Sequence, residues 1–310
     1  MAIDAEYRVW KRGRLRIVQL PEILAVEAIG DHVFEGPAGP AMGPRLFGGQ
    51  AIAQALMAGC AAEDSGRLPH SLHAHFLKAG ASEDPVRYTV TTLSEGRSFA
   101  VRRIDGMQDE TLIFSMTASF HIEEVGHEHA SPAPFDLDID AALSSLEDWR
   151  SNSARANDTP LVDRLQKRPI EIVPLEPDSL FGAGASKPRT AVWMRMREPS
   201  GADPLMQRAL LAYASDMMFL RNALLPHGVR PGSSKVQAAS LDHAIWFHET
   251  PDFDAWHLYA TESPWAGHAR GLNRGHFYDL QGRMIASVAQ ESLMRPRGEA
   301  RDRLLQDKAS

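Results

Sequence analysis

The chain has 310 residues, 44% of them hydrophobic and 24% charged, with 33 Lys+Arg against 40 Asp+Glu for a formal charge of -7. That is apolar material for one large core or two ordinary ones, and it argues against disorder, a collagen-like repeat or a membrane-spanning chain. The acidic balance offers no general attraction to nucleic acid or to an anionic membrane. Cys60 is the single cysteine, which excludes an intramolecular disulfide, a thiolate zinc cluster and an iron–sulfur centre, and suits a reducing compartment, the cytoplasm.

The first predicted element lies in Leu46–Cys60, where Gly48-Gly49 gives way to an Ala-rich stretch with Ile52, Ala53, Leu56 and Met57 at helical spacing. A helix is expected to start after Gly49 and to bury one side. Beyond the polar turn at Glu63–Gly66 come segments of strand type, Ser71–Leu77, Val86–Leu93 with Ser98–Ile104, and Thr111–His121. In the last, Phe114, Met116, Ala118 and Phe120 alternate with Ser115, Thr117 and Ser119, as in a half-buried antiparallel strand. Residues 126–165 are rich in Pro, Asp, Ser and Asn and read as a linker, with a short amphipathic stretch at Ala141–Arg150. Pro169–Leu175 and Thr190–Met196 have strand character, and the turn Gly182–Lys187 lacks the ending of a phosphate loop. A long helical pattern then covers Leu205–Gly228, closed by Pro226 and Gly228, before four further strand segments near Ser240, Trp256, Gly271 and Arg283.

One helix followed by a meander therefore occurs twice, and placing Ser71-Leu72 over Ser240-Leu241 aligns the copies at an offset of roughly 170 residues. The expected architecture is α+β, a tandem double hotdog with two long helices each wrapped by an antiparallel sheet. Its parts are an N-terminal hotdog over 1–125, the linker at 126–165 and a C-terminal hotdog over 166–310.

The pieces Phe47-Gly48-Gly49-Gln50, His70-Ser71-Leu72-His73, Ala214-Ser215-Asp216, Asp242-His243 with Trp246-Phe247-His248, Arg270-Gly271, and Gln290-Glu291 with Met294-Arg295 occur in that order. In this the sequence resembles the acyl-CoA thioesterase II family, the double-hotdog thioesterases, over roughly residues 25–125 and 165–298.

On its own, Asp216 is an acid within an apolar helical pattern, flanked by Leu210–Tyr213 and Met217–Leu220. It must be exposed, bonded to Ser215 or a backbone amide, or tuned for chemistry. The resemblance implies the last: an aspartate that works with a hydroxyl residue, here Ser240, and a glutamine, here Gln290, to hold and activate a hydrolytic water. The hydroxyl is often Thr in that family, and Ser keeps the donor and acceptor oxygen. Gly48, Gly49 and Gln50 are candidates for substrate contact at a helix N-terminus, or for packing alone. The first copy has no aspartate in its helix and offers Gln50 and Gln54 instead, so the catalytic residues are expected in the second.

The activity implied is hydrolysis of fatty or related acyl-CoA to free acid and CoA, with acyl-CoA as partner and neither cofactor nor metal. No Gly-x-Ser-x-Gly elbow or His-Glu-x-x-His pair is present to suggest another hydrolase. Two alternatives stay open. A non-catalytic acyl-CoA-binding protein could share the fold. An enoyl-CoA hydratase would carry a histidine five residues after the aspartate, where Arg221 stands. His73 and His243 suggest a shared structural role at a pseudo-twofold axis. Cys60 reads as packing, and Arg102-Arg103 or Arg270 and Arg274 as solvated faces or phosphate contacts. No signal peptide, peroxisomal tail or run of ~18 apolar residues is evident, and exposed strand edges favour a homo-oligomer.

Overall fold

A computed structural model describes residues 7–11, 14–39, 43–63, 65–152, 168–181, 184–230, 232–298 and 301. Its N-terminal part comprises β1 (Tyr7–Lys11) and β2 (Arg14–Val18), which pair only with each other, then α1 (Leu20–Leu24), β3 (Glu27–Gly30), β4 (Val33–Gly36), α2 (Gly48–Ala61), β5 (Leu68–Phe76), β6 (Val86–Glu95), β7 (Phe99–Gln108) and β8 (Thr111–His121). After α3 (Ile139–Ser151) follow β9 (Ile170–Pro174), α4 (Pro177–Phe181), β10 (Arg189–Met196), α5 (Pro204–Ser215), α6 (Arg221–Leu224), β11 (Val236–Ser240), β12 (Asp242–Phe247), β13 (His257–Gly267), β14 (Arg270–Tyr278) and β15 (Met284–Pro296).

One antiparallel sheet links the two copies in the order β3-β4-β6-β7-β8-β5-β12-β15-β14-β13-β10-β9, with β11 paired to β15. The halves are mirror images in strand order and join where β5 meets β12, Ala74 opposite His243 and His73 opposite Ala244. Inward residues such as Leu72, Met116, Ala118, Ile245 and Val288 are buried against the helices. Each half thus wraps one central helix, the duplicated hotdog that the sequence pattern led us to expect.

The two helices are buried nearly all round, as their Ala-rich sequences permit. In α5, Asp203 caps the amides of Leu205 and Met206 at 2.9 and 3.0 Å, and Pro204 supplies the first helical φ. The N-cap of α2 is Phe47, whose side chain caps nothing.

The second helix is shorter than its pattern. It ends at Ser215 with Asp216 as the C-cap, Met218 takes φ 66°, and helix resumes only at Arg221. Hydrophobic periodicity could not register the break, because Met217, Phe219 and Leu224 on its far side are as buried as Leu210 and Leu211 before it. The Tyr259 hydroxyl donates to the Ser215 carbonyl at 2.8 Å, satisfying one acceptor of the truncated end.

The amphipathic stretch of the linker is α3, which starts from an Asp138 cap and anchors through Trp149, whose ring lies 5.0 Å from that of Phe181 and donates to Asp178. Linker residues 153–165 lie outside the described residues, as do Gly182 and Ala183 of the glycine-rich turn, in which Gly184 has φ 101°.

At the C-terminal end of α2, Glu63 sits between two guanidiniums, Arg67 at 3.0 Å and Arg102 at 2.9 Å. Burial opposes its charge, but the Ser65 hydroxyl and amide and the two arginines outweigh that and hold the carboxyl below the ordinary range. Arg102→Leu would leave this acid half-partnered, at a cost of about 3 kcal/mol. Arg103→Leu, which removes a half-exposed pair with Asp105, should cost less than ~1 kcal/mol. Thermal melts of the two variants check the contrast.

Candidate active site

Helices α2 and α5 run antiparallel, so the open N-terminus of one faces the C-terminus of the other. The Gly49 amide donates to Asp216 Oδ2 at 3.0 Å. The aspartate thereby caps a helix to which it does not belong, meeting the positive end of the α2 dipole. This junction requires both glycines. A Cβ on Gly48 would stand 2.6 Å from Asp216 Oδ2, and one on Gly49 would stand 2.4 Å from the Tyr213 carbonyl oxygen. Gly48, as the first residue of α2, has no acceptor for its N–H within the helix.

The other carboxylate oxygen, Oδ1, receives the Ser240 hydroxyl at 3.4 Å from the end of β11. Gln290, on β15, donates from Nε2 to Ser240 Oγ at 3.0 Å and to Ser292 Oγ at 3.1 Å. Asp216, Ser240 and Gln290 are thus joined in one hydrogen-bonded chain, although 24 and 50 residues separate its successive members. Burial pushes the Asp216 carboxyl up to about 7, against the Gly49 amide and the Ser240 hydroxyl, which pull it down. A carboxyl so placed can exchange a proton near neutral pH.

Asp216, Ser240 and Gly48 lie on the wall of a cavity of about 810 Å3. Apolar side chains including Phe47, Phe76, Met218 and Leu220 form much of the wall, and Arg45, Lys78, Arg168 and Arg230 bring positive charge to it. Those four cations carry no local sequence signal, since they come from separate segments. The arginine pairs singled out from the sequence are engaged elsewhere: Arg102 with Glu63 and Glu95, Arg103 with Asp105, Arg270 with Glu291, and Arg274 with Glu262.

Gln50 does not face this cavity. It is buried and donates to the Pro37 carbonyl at 3.2 Å. Gln54 donates to Ile23 and Pro37 and accepts from Tyr88, so it is a core tie, remote from the C-terminal end of α2 that corresponds to Asp216. Gln290 stands behind Ser240, off the cavity wall.

The paired role expected of His73 and His243 is not what the structure shows. His73 is exposed with its ring 5.2 Å from Trp246, whereas His243 is 1% exposed and bonded between Gln290 and Ser215. Arg221 is on the cavity wall at 6% exposure, and the break after Asp216 removes the continuous helix on which an Asp and a histidine five residues later would stand. Cys60 is buried, and burial pushes its thiol up to about 12, which leaves it a packing residue.

Fold and site together define a double-hotdog thioesterase. Residues 163–293 match the family model described as acyl-CoA thioesterase, and residues 37–121 match that of an acyl-CoA thioesterase N-terminal domain. The chain is 33% identical over 283 residues to acyl-CoA thioesterase 2 of Haemophilus influenzae, covering 89% of this chain and 96% of that one. It is 34% identical to human acyl-coenzyme A thioesterase 8, over 91% of each chain. Among solved structures, the acyl-CoA thioesterase II TesB2 of Mycobacterium marinum superposes with a TM-score of 0.73 at 30% identity, covering 90% of this chain and 99% of that one. A hot dog fold protein of Alicyclobacillus acidocaldarius, at 18% identity and a TM-score of 0.70, shares the fold. The chain belongs to the acyl-CoA thioesterase II family.

Proposed function

We propose that Asp216 is the general base with which this acyl-CoA thioesterase activates water, that Ser240 holds the water and the carboxylate in register, and that Gln290 orients Ser240. The observation that carries the reading is Asp216 itself, a carboxyl raised to about 7 by burial, on the wall of an apolar cavity and between a helix N-terminus and a hydroxyl. The overall reaction is hydrolysis of acyl-CoA to free acid and CoA.

Water beside Asp216 gives its proton to the carboxylate as its oxygen bonds to the thioester carbon. Charge develops on the former carbonyl oxygen, where the Gly48 amide and the positive end of α2 stabilise it. Collapse breaks the C–S bond, and the proton held by Asp216 passes to the departing sulfur. Gly49 serves by fixing the carboxylate, and Gln50 by packing.

In the same reading the apolar wall takes the acyl chain, and Arg45, Lys78, Arg168 and Arg230 meet CoA phosphates. Lys78→Ala combined with Arg168→Ala should raise KM for acyl-CoA about tenfold, with kcat within twofold of wild type. The same variant should be unaffected toward an acyl-N-acetylcysteamine thioester, which lacks the phosphates.

The proposal extends to the division into hotdogs over 1–125 and 166–310 joined by a 126–165 linker, and to a cytoplasmic homo-oligomer. The single cysteine supports that compartment, and the exposed rings of Trp246 and Trp265 offer apolar surface for association. No helix among the described residues is long and apolar enough to cross a membrane.

The pH dependence tests the base directly. Only ionised Asp216 can accept the proton, so kcat/KM is expected to rise tenfold per pH unit below about 7 and to level off above it. Thiol release measured from pH 5 to 9 reads the limb. A flat profile down to pH 5 would remove Asp216 from the role.

A further inference from the structure

His243 and Ser215 are absent from the cavity wall and yet belong to the chain of bonds that ends on the reacting carboxylate. His243 Nδ1 is 2.6 Å from Gln290 Oε1, and its Nε2 is 2.8 Å from Ser215 Oγ. An amide oxygen only accepts, so Nδ1 must carry the hydrogen. The buried ring is neutral at working pH, since burial pushes its pKa down to about 4 despite the Gln290 bond. It therefore has one N–H, and Nε2 is left to accept from Ser215.

With Oε1 so engaged, both amide hydrogens of Gln290 point the other way, at Ser240 and Ser292. Ser240 then receives a hydrogen from Gln290 and keeps its own for Asp216 Oδ1. The opposite tautomer reverses every bond. Nε2–H would donate to Ser215, whose proton would go to the Ala212 carbonyl at 2.8 Å. Nδ1 would then need a donor, and the Gln290 amide would turn over to supply it. Its oxygen would face Ser240 and compete with Asp216 for the hydroxyl hydrogen. Phe219, whose ring lies 5.9 Å from the imidazole and nearly perpendicular to it, closes the pocket on a further side without offering a hydrogen bond.

We infer that His243, held as its Nδ1–H tautomer by Ser215, is a positioning residue that locks the Gln290 amide so that Ser240 presents its hydrogen to Asp216. This rests on the assignment of Asp216, Ser240 and Gln290 made above. Because neither His243 nor Ser215 reaches the cavity, the effect of losing them falls on kcat and leaves KM in place.

The test uses the full chain with thiol release and 15N NMR of labelled histidine. In wild type, the His243 resonance should show Nδ1 protonated and Nε2 bare at pH 7, the minor tautomer of imidazole in water. His243→Leu should lower kcat 10- to 100-fold with KM within threefold. His243→Asn, whose side-chain amide returns an N–H near the place of Nδ1, should recover kcat to within fivefold of wild type. Ser215→Ala, at the last position of a helix where Ala is well tolerated, covers the case in which His243→Leu does not fold. It should lower kcat at least fivefold and shift the tautomer balance toward Nε2–H.

A wild-type Nε2–H tautomer, an unchanged kcat in folded His243→Leu or in Ser215→Ala, or failure of Asn to restore turnover would each overturn the inference. Gln290→Ala run beside them separates the two levels. Wild-type kcat in that variant would sink the assignment of Gln290 itself. Loss in Gln290→Ala without loss in His243→Leu or Ser215→Ala would sink the role of His243 alone.

Discussion

Asp216→Asn is expected to lower kcat about 10^3-fold and, at pH 8, to raise Tm by about 3–8 °C. Both effects have one cause. The carboxyl is held at about 7 in the folded protein against 3.8 for an ordinary aspartate, chiefly by burial. The folded state therefore holds this proton more tightly than the unfolded chain. The associated stability is complete below the unfolded value near 4, declines as pH rises through about 7, and is absent above it. At pH 8 the wild type carries an ionised group in a poorly solvated place, and its partial exposure to the cavity moderates the cost. Asparagine keeps the shape and an acceptor for the Gly49 amide, loses the charge, and cannot take a proton from water. Melting curves at pH 5 and pH 8 should show the gap between variant and wild type opening with pH. A variant that keeps wild-type turnover, or melts below wild type at pH 8, would contradict this.

The second large effect separates two neighbouring glycines. A methyl group at position 48 would meet Asp216 Oδ2 at 2.6 Å and the tip of the Phe76 ring at 2.9 Å, both on the cavity wall. Gly48→Ala should therefore fold normally, since the first turn of a helix accepts alanine, while kcat falls roughly 10^2-fold, the penalty for displacing reacting groups by about 1 Å. At position 49 the methyl would meet the Tyr213 carbonyl oxygen at 2.4 Å and the Phe47 ring at 2.6 Å. Backbone cannot swing aside as a ring can, so Gly49→Ala forces α2 and α5 apart and costs about 3 kcal/mol of stability along with activity. Tm measured beside kcat distinguishes the two: activity lost with stability kept at 48, and both lost at 49.

Much of this arrangement was legible in the sequence. The Gly48-Gly49 boundary, the alternation along Thr111–His121 and the recurrence of helix and meander led to the duplicated fold. An acid among Leu, Tyr, Met and Phe marked Asp216. The helix break at Asp216 was not legible, because a turn with buried side chains on both sides has the same apolar pattern as a continuing helix. Met218 adopts the left-handed conformation without a glycine to announce it.

His243 was misread through the register of the repeat. Setting Ser71 over Ser240 places His73 over Asp242 and His243 over the buried Ala74, so the two histidines matched as a pair stand one residue out of step, one ring outward and the other inward. A histidine between Asp242 and the buried Ile245 on an inward-facing strand was the available signal. The cavity cations Arg45, Lys78, Arg168 and Arg230 meet only in the folded chain. Conversely, Arg102, Arg270 and Arg274, conspicuous as pairs in the sequence, are neutralised by acids on other strands or turns, which linear reading cannot see, while Arg103 pairs with Asp105 two residues along its own strand.

The central claim is that Asp216 activates water and does not itself attack the thioester, and one turnover in H2 18O with enzyme in excess over acyl-CoA tests it most directly. Direct attack by water places one 18O atom in the released acid on that first turnover and leaves the peptide containing Asp216 unlabelled. Attack by the carboxylate would form an anhydride: water opening it at the Asp216 carbonyl would release unlabelled acid and leave 18O in that peptide, while opening at the acyl carbon would label the acid alone, so hydroxylamine is added in a parallel turnover to trap the anhydride as a hydroxamate on Asp216. Label in the acid alone with no hydroxamate on the Asp216 peptide is the predicted result, and 18O or hydroxamate in that peptide would contradict it.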